Sequence, residues 1–134
     1  VQYAKQTKHN IFQYLQSIPS LFQDFNLFMG NTMGARDYWH DWYNVESRLI
    51  RGFDLSNGPA LLVDIGGGKG HDLIAFDNSF GRSYEGKLVL QDQPQVLEAI
   101  PPGELSERIT KVAYDFFEAQ PEKGLPNTPF QGVL

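Results

Sequence analysis

The sequence predicts an α/β fold in which helices precede half of a doubly wound parallel sheet, with the sheet itself incomplete. Three observations predict it. The apolar run Ala60–Ile65 passes directly into closely spaced glycines. Two more short apolar runs follow, Lys87–Asp92 and Ile109–Tyr114, with helical patterns between them. Residues 1–58 instead carry apolar side chains at helical spacing. An order of strand, helix, strand, helix, strand is half of a doubly wound sheet.

Each element has a local reason. Ile11, Phe12, Leu15 and Ile18 recur at helical spacing, and Pro19 is expected to end that helix. Ser20 followed by Gln23 resembles a capping box for the next one. Leu21, Phe22, Phe25, Phe28 and Met29 lie along one side of it, and the Gly30 to Gly34 stretch is expected to break it. Trp42, Val45, Leu49 and Ile50 mark a third amphipathic helix ending before Gly52, and Asn57-Gly58-Pro59 is a turn. Ala60–Ile65 suits a strand buried on both faces. After the glycines a helix is expected from Lys69 to Phe80, then a strand at Lys87–Asp92, a short helix from Pro94 to Ile100, and a strand from Ile109 to Tyr114. From Glu118 onward the chain is rich in Pro, Gly, Asn and Thr, and only Phe130 to Leu134 is suited to pair again. The division expected is a helical segment, 1–58, and an α/β core, 59–134, within one domain.

Composition narrows the function classes. The chain has 134 residues, 41% hydrophobic and 13% aromatic, which supports one packed core. A net charge of -5 argues against a nucleic-acid surface, which needs basic excess, and is compatible with a neutral or cationic small molecule. The absence of cysteine excludes disulfides and thiolate metal sites, and permits a reducing compartment. No other cluster has metal-ligand spacing. No apolar run approaches the roughly 18 residues of a membrane span. Val1-Gln2-Tyr3-Ala4-Lys5 lacks a signal-peptide core, so the expected location is cytoplasmic. The missing initiator Met reads as a trimmed piece of a longer protein.

The chemistry concentrates in Val63-Asp64-Ile65-Gly66-Gly67-Gly68-Lys69-Gly70. A buried strand running into glycines turns sharply and lets a ligand touch backbone. The same pattern also serves a tight strand-to-helix turn with no ligand. Gly66, Gly68 and Gly70 alternate, which is neither the dinucleotide spacing nor a Walker loop. Asp64 stands two residues before the first glycine, and Asp92 ends the next strand 22 residues after Gly70. That is about where an acid accepts from ribose hydroxyls in doubly wound folds. Asp92 also reads as a helix N-cap ahead of Pro94, and the two roles are compatible. Asp115 and Phe116, at the end of the third strand, suit a purine: a carboxylate for an exocyclic amine and a ring to pack on it. Two core phenylalanines and a capping Asp fit the same residues.

Taken in order, the blocks Val63 to Asp72, Leu88 to Val96, Tyr114-Asp-Phe-Phe and Gln120-Pro resemble the fungal-type S-adenosylmethionine (SAM) dependent small-molecule O-methyltransferases. The resemblance spans about residues 10 to 124. It implies a class I, Rossmann-like methyltransferase core and SAM as the cofactor. Asp64, Gly66 and Gly68 would face its methionine end, Asp92 its ribose, and Asp115 with Phe116 its adenine. The acceptor implied is a hydroxyl of a small aromatic or polyketide-like metabolite, with Met29 and Trp39 nearest it. Ordinary packing accounts for those two equally well. The family's winged-helix dimerisation region does not precede this block. Nor does Glu122 to Leu134 look like the family's next strand, beyond which a His-Asp-Trp segment carries the catalytic base. The expected chain is therefore a truncated, cofactor-binding portion with no catalytic residue of its own. His40-Asp41-Trp42 matches that motif, but on the wrong element, and reads as a chance match at a helix start. A partly unpaired first strand predicts that Phe130 to Leu134 substitutes for its neighbour, or that the chain associates with itself or a partner. Two other readings remain: a non-catalytic partner module, and a SAM-binding relative that catalyses a rearrangement.

Overall fold

Helix signals near the amino terminus produce a first compact unit, Val1–Arg36, distinct from a second, Asp37–Leu134. In a computed structural model, residues 1–33, 36–121 and 132–133 are described. The first unit holds α1 (Gln2–Lys5), α2 (Ile11–Gln16) and α3 (Pro19–Met33). Asn10 caps α2: its side chain accepts from Gln13 N at 2.9 Å, and Asn10 N donates to the Gln13 side chain at 3.0 Å. The box expected at Ser20 does not form. Helix α3 already starts at Pro19, whose missing N–H costs nothing at a first helical position, so Ser20 lies inside the first turn. Helix α3 ends at Met33, within the Gly30 to Gly34 stretch expected to break it, and Gly30 itself lies inside the helix. One interior glycine costs only about 1 kcal/mol of helix propensity. Gly34 lies outside the described residues. Helices α2 and α3 pack together over buried Leu15.

The second unit opens with α4 (Trp39–Trp42), a π-helical turn (Glu46–Ile50) and a 3-10 turn (Leu55–Asn57). The single third helix expected here is thus broken. Tyr43 is extended, with φ -92° and ψ 134°. The break lets Trp39 on one piece and Val45 and Leu49 on the other reach the same core, and it leaves Trp42 76% exposed. The α/β order then follows the sequence: β1 (Ala60–Ile65), α5 (His71–Phe80), β2 (Lys87–Asp92), α6 (Pro94–Glu98) and β3 (Ile109–Ala113). Helix α5 starts two residues later than expected, and β3 ends one residue sooner.

All strands run parallel in the order β3-β2-β1-β4, where β4 is Gly132–Val133. Strand β4 pairs with β1 at Leu62 and Val63, within the segment expected to supply a substitute strand. Phe130, Gln131 and Leu134 of that segment lie outside the described residues. Ala60, Leu61, Leu62 and Val63 are each at most 4% exposed, as a strand covered on both faces requires. One core cluster joins Leu61, Leu62, Leu88 and Leu90 to Leu73 and Phe76 of α5 and Leu97 of α6, with a shift in the β1–β2 register between Ala60 and Leu62. The other gathers Ala60, Val63 and Val89 with Ile65 and Val112. At the far end of α5, Tyr84 donates to Asp77 Oδ1 at 2.6 Å and Ser106 donates to Asp77 Oδ2 at 2.6 Å. Arg108 donates to the Gly81 and Tyr84 carbonyls and lies 4.1 Å over the Tyr84 ring. This polar cluster fixes the start of β3 against α5.

Candidate functional site

Because β1, β2 and β3 are parallel, their carboxyl ends share one edge, and the segments leaving them meet there. The β1 segment is the glycine turn. Gly66 N donates to Gln91 O at 2.7 Å, Gly70 N to Gly67 O at 2.9 Å, and Gly68 N to Asp92 Oδ2 at 2.8 Å. Gly66 and Gly68 have φ of 72° and 60°, and a Cβ at either would meet nothing within 4 Å. Gly67 is different. A Cβ there would sit on the Asp64 carboxylate, 2.5 Å from its Cγ, and 2.6 Å from Leu90 Cδ1. The turn therefore has an inner side, packed on Asp64 and Leu90, and an outer side open at Gly66 and Gly68. Asp64 is 6% exposed beneath it.

Asp92 joins this turn to the next loop. Its Oδ1 accepts from Gln93 N at 2.7 Å while Oδ2 holds Gly68 N, and its backbone oxygen accepts from Tyr114 N at 3.0 Å. The N-cap position of α6 is Gln93, so Asp92 does not cap that helix as its neighbourhood in sequence suggested. A carboxylate has about four lone-pair sites, so two accepted bonds leave capacity for two more. Asp115 is exposed after β3, and its Oδ1 accepts from Phe117 N at 3.0 Å. Phe116 and Phe117 are 44% and 74% exposed, with ring centroids 4.6 Å apart. They are not the two core phenylalanines that the bland reading required.

The structure thus brings Asp64, Gly66, Gly68 and Asp92 together, with Asp115 and Phe116 leaving the neighbouring strand on the same edge. Trp39 stacks on Phe76 of α5, at 5.8 Å and 9° between planes, and its buried indole Nε1 has no hydrogen-bond partner among the described residues. Met29 belongs to the first unit and is 37% exposed. His40 is packed between Tyr38 and Phe80, with Nδ1 3.4 Å from Asp41 Oδ1. Asp41 Oδ2 accepts from Tyr38 N at 2.8 Å, which is the helix-start role expected of it. His71 is half-buried, and its Nε2 has no hydrogen-bond partner among the described residues.

One pair went unread in the sequence. Gln91 is fully buried, and its amide exchanges two hydrogen bonds with that of Gln120, at 2.7 and 2.9 Å. A glutamine ending the apolar run Leu88-Val89-Leu90 is the signal, since a buried amide requires a partner.

Chemically, the edge offers open space over two glycines, a carboxylate with spare acceptor capacity, a second exposed carboxylate and exposed aromatic faces. That set fits a ligand with hydroxyls and a flat ring, such as a nucleoside. Among the described residues, no group of His, Asp and Glu is arranged to hold a metal ion. None of the described helices is long and apolar enough to cross a membrane.

No protein-family model matches the chain. Curated relatives do. It is 52% identical over 92% of its length to O-methyltransferase asqD of Emericella nidulans, covering 31% of that protein. It is 51% identical over 92% of its length to O-methyltransferase penC of Penicillium thymicola, covering 30% of it. The chain therefore spans under a third of the length of these relatives. Among solved structures, LepI in complex with SAM matches with a TM-score of 0.76 and 27% identity, over 90% of this chain and 30% of that one. A pericyclic reaction enzyme matches with a TM-score of 0.70 and 26% identity, over the same shares.

Proposed function

Since the chain is homologous, over nine-tenths of its length, to a stretch of the fungal O-methyltransferases, we propose that it is the cofactor-binding portion of a SAM-dependent O-methyltransferase. The fold is that of a class I methyltransferase core, in keeping with the SAM-bound neighbour. The observation that carries the proposal is the Asp92 carboxylate. It sits at the end of β2, tied to the glycine turn through Gly68 N at 2.8 Å, with acceptor sites to spare for two ribose hydroxyls. Gly66 and Gly68 leave room for the ligand's methionine end, and buried Asp64 lies directly beneath the turn. Asp115 and Phe116 take the adenine, by a carboxylate toward its amine and a ring against its face.

SAM supplies a methyl group already activated on sulfonium, so the protein's task is alignment and proton removal. The residues above serve alignment. Met29, Trp39 and the helical segment 1–58 are assigned to the acceptor side by resemblance, and the acceptor is proposed to be a hydroxyl of a small aromatic or polyketide-like metabolite. No side chain of this chain is assigned the proton.

Calorimetric titration of SAM into the chain tests the proposal. A saturable isotherm is expected. A chain folded by circular dichroism that takes up no SAM refutes it and leaves the protein-partner reading. The likeness to a pericyclic reaction enzyme favours one competing chemistry, a rearrangement with SAM retained. Formation of a methyl ether from a hydroxylated acceptor, by the longer protein, separates the two.

A further inference from the structure

We propose that Gln91 and Gln120 are positioning residues for the cofactor site, acting as an amide clasp that sets the adenine-side loop relative to the glycine turn. The proposal rests on the SAM-binding reading above and deepens it. Three observations carry it. First, Gln91 is fully buried at the carboxyl end of β2, and its side chain and that of Gln120 satisfy each other in both directions, at 2.7 and 2.9 Å. Second, the same residue's backbone oxygen accepts from Gly66 N at 2.7 Å and Gly67 N at 3.4 Å. One residue therefore grips the glycine turn with its main chain and the loop after β3 with its side chain. Third, the loop that Gln120 closes contains Asp115, Phe116 and Phe117. Three bonds lie within it: Phe117 N to Asp115 Oδ1 at 3.0 Å, Glu118 N to Asp115 O at 2.9 Å and Tyr114 OH to Glu118 O at 2.7 Å. These bonds shape the loop internally but do not fix it to β2. Tyr114 N to Asp92 O secures its first residue, and the amide clasp secures its last. A loop pinned at both ends holds its carboxylate and ring in place before the ligand arrives, which lowers the ordering cost of binding.

The test separates positioning from mere stability. Gln120→Leu leaves the buried Gln91 amide unsatisfied, whereas Gln91→Leu/Gln120→Leu removes both polar groups and relieves that penalty. Thermal melts are expected to show the single variant destabilised and the double variant largely restored. Titration with S-adenosylhomocysteine and with adenosine is expected to show both ligands weakened by about tenfold in both variants, because the clasp is absent from both. If affinity recovers together with stability in the double variant, the clasp is only structural and the proposal is overturned. Amide hydrogen exchange at Phe117 and Glu118 in the ligand-free chain gives an independent readout. Exchange about tenfold faster in the double variant supports the clasp. Parent-like protection in the double variant overturns it. If the parent takes up neither ligand, the SAM reading fails by that result, and the exchange measurement alone decides whether the clasp orders the loop.

Discussion

Replacing Asp92 by alanine tests the site at the point where fold and proposed ligand share one carboxylate. In the free chain the substitution removes two charge-assisted acceptors, to Gly68 N at 2.8 Å and Gln93 N at 2.7 Å. A hydrogen bond to a charged group contributes about 1.5–3 kcal/mol. Asp92 is only half-buried and its bond to Gln93 is local, so only the bond to Gly68 is counted, at the low end, a loss of about 1.5 kcal/mol. For a 134-residue chain, with about 2.1 cal/mol/K of unfolding entropy per residue, that lowers Tm by about 5 °C. The ligand should suffer separately. Two ribose hydroxyls lose their acceptor, and SAM affinity is expected to fall at least about tenfold, or 1.4 kcal/mol. Loosening of the Gly68 turn weakens binding too, so affinity alone does not isolate the ribose contact. A cycle does: parent and Asp92→Ala are each titrated with SAM and with an analogue lacking the ribose 2′-hydroxyl. The analogue should bind the parent more weakly than SAM does, and the variant should no longer distinguish them. If Asp92→Ala melts lower yet still discriminates the hydroxyl as the parent does, the carboxylate serves the turn alone and the ribose assignment is wrong.

Gly67→Ala should destabilise the chain by about 1–3 kcal/mol, because its Cβ would lie 2.6 Å from Leu90 Cδ1 and on the Asp64 carboxylate. A thermal melt matching the parent's would show that the turn has more space than its packing indicates. Gly68→Ala meets no neighbour but must hold φ at 60°, which costs about 1–2 kcal/mol. Its methyl enters the space assigned to the ligand, so it should lose SAM binding more completely than Gly67→Ala does at equal stability. Tyr84 titrates well above its ordinary value of 10.0, first because it is buried and then because it donates to Asp77. A raised phenol pKa means its stabilisation is complete below pH 10 and is lost as pH rises beyond the unfolded value of 10.0. Urea melts should show the parent weakening above that pH. Tyr84→Phe should be less stable at neutral pH, with a shallower alkaline decline.

The strands were legible because each is short, apolar and bounded. Ala60–Ile65 and Lys87–Asp92 have the limits expected, since a strand covered on both faces has a continuous apolar run that its neighbours interrupt. The helical region was legible only in part. Trp42, Val45, Leu49 and Ile50 fit one helical stripe, yet Tyr43 is extended, because packing Trp39 on Phe76 outweighs continuity of the helix. Periodicity records which residues are apolar and carries no record of a break that aims two short pieces at one core. Pro19 illustrates a different ambiguity, since proline both ends one helix and starts the next, and here only Ser17 and Ile18 stand between α2 and α3. At the site, the acids after strands were readable from topology, but Asp92's hold on Gly68, 24 residues away, was not. The Gln91 and Gln120 pair is separated by 29 residues, so no local pattern links them. Only the oddity of a glutamine in an apolar strand hints that a distant partner exists.

These contacts make β2 the strand on which the site depends. Its inner residues, Leu88 and Leu90, pack under α5 and the glycine turn, with Leu90 touching the Cβ positions of both Gly67 and Gly70. Its last two residues hold the segments above: Gln91 O accepts from Gly66 N and Gly67 N, the Gln91 side-chain amide exchanges bonds with that of Gln120, Asp92 O accepts from Tyr114 N, and Asp92 Oδ2 accepts from Gly68 N. Burial and ligand geometry are therefore set by one register. Side chains alternate along a strand, so a slip of one residue would turn Leu90 out of its cluster and expose Gln91's position to the wrong face. The apolar half of β2 penalises every register but the observed one, and that penalty fixes where its polar end stands. A site built this way requires no separate scaffold for its loops. It also places the strongest sensitivity to mutation on Leu90 and Gln91, neither of which is among the residues proposed to touch the ligand.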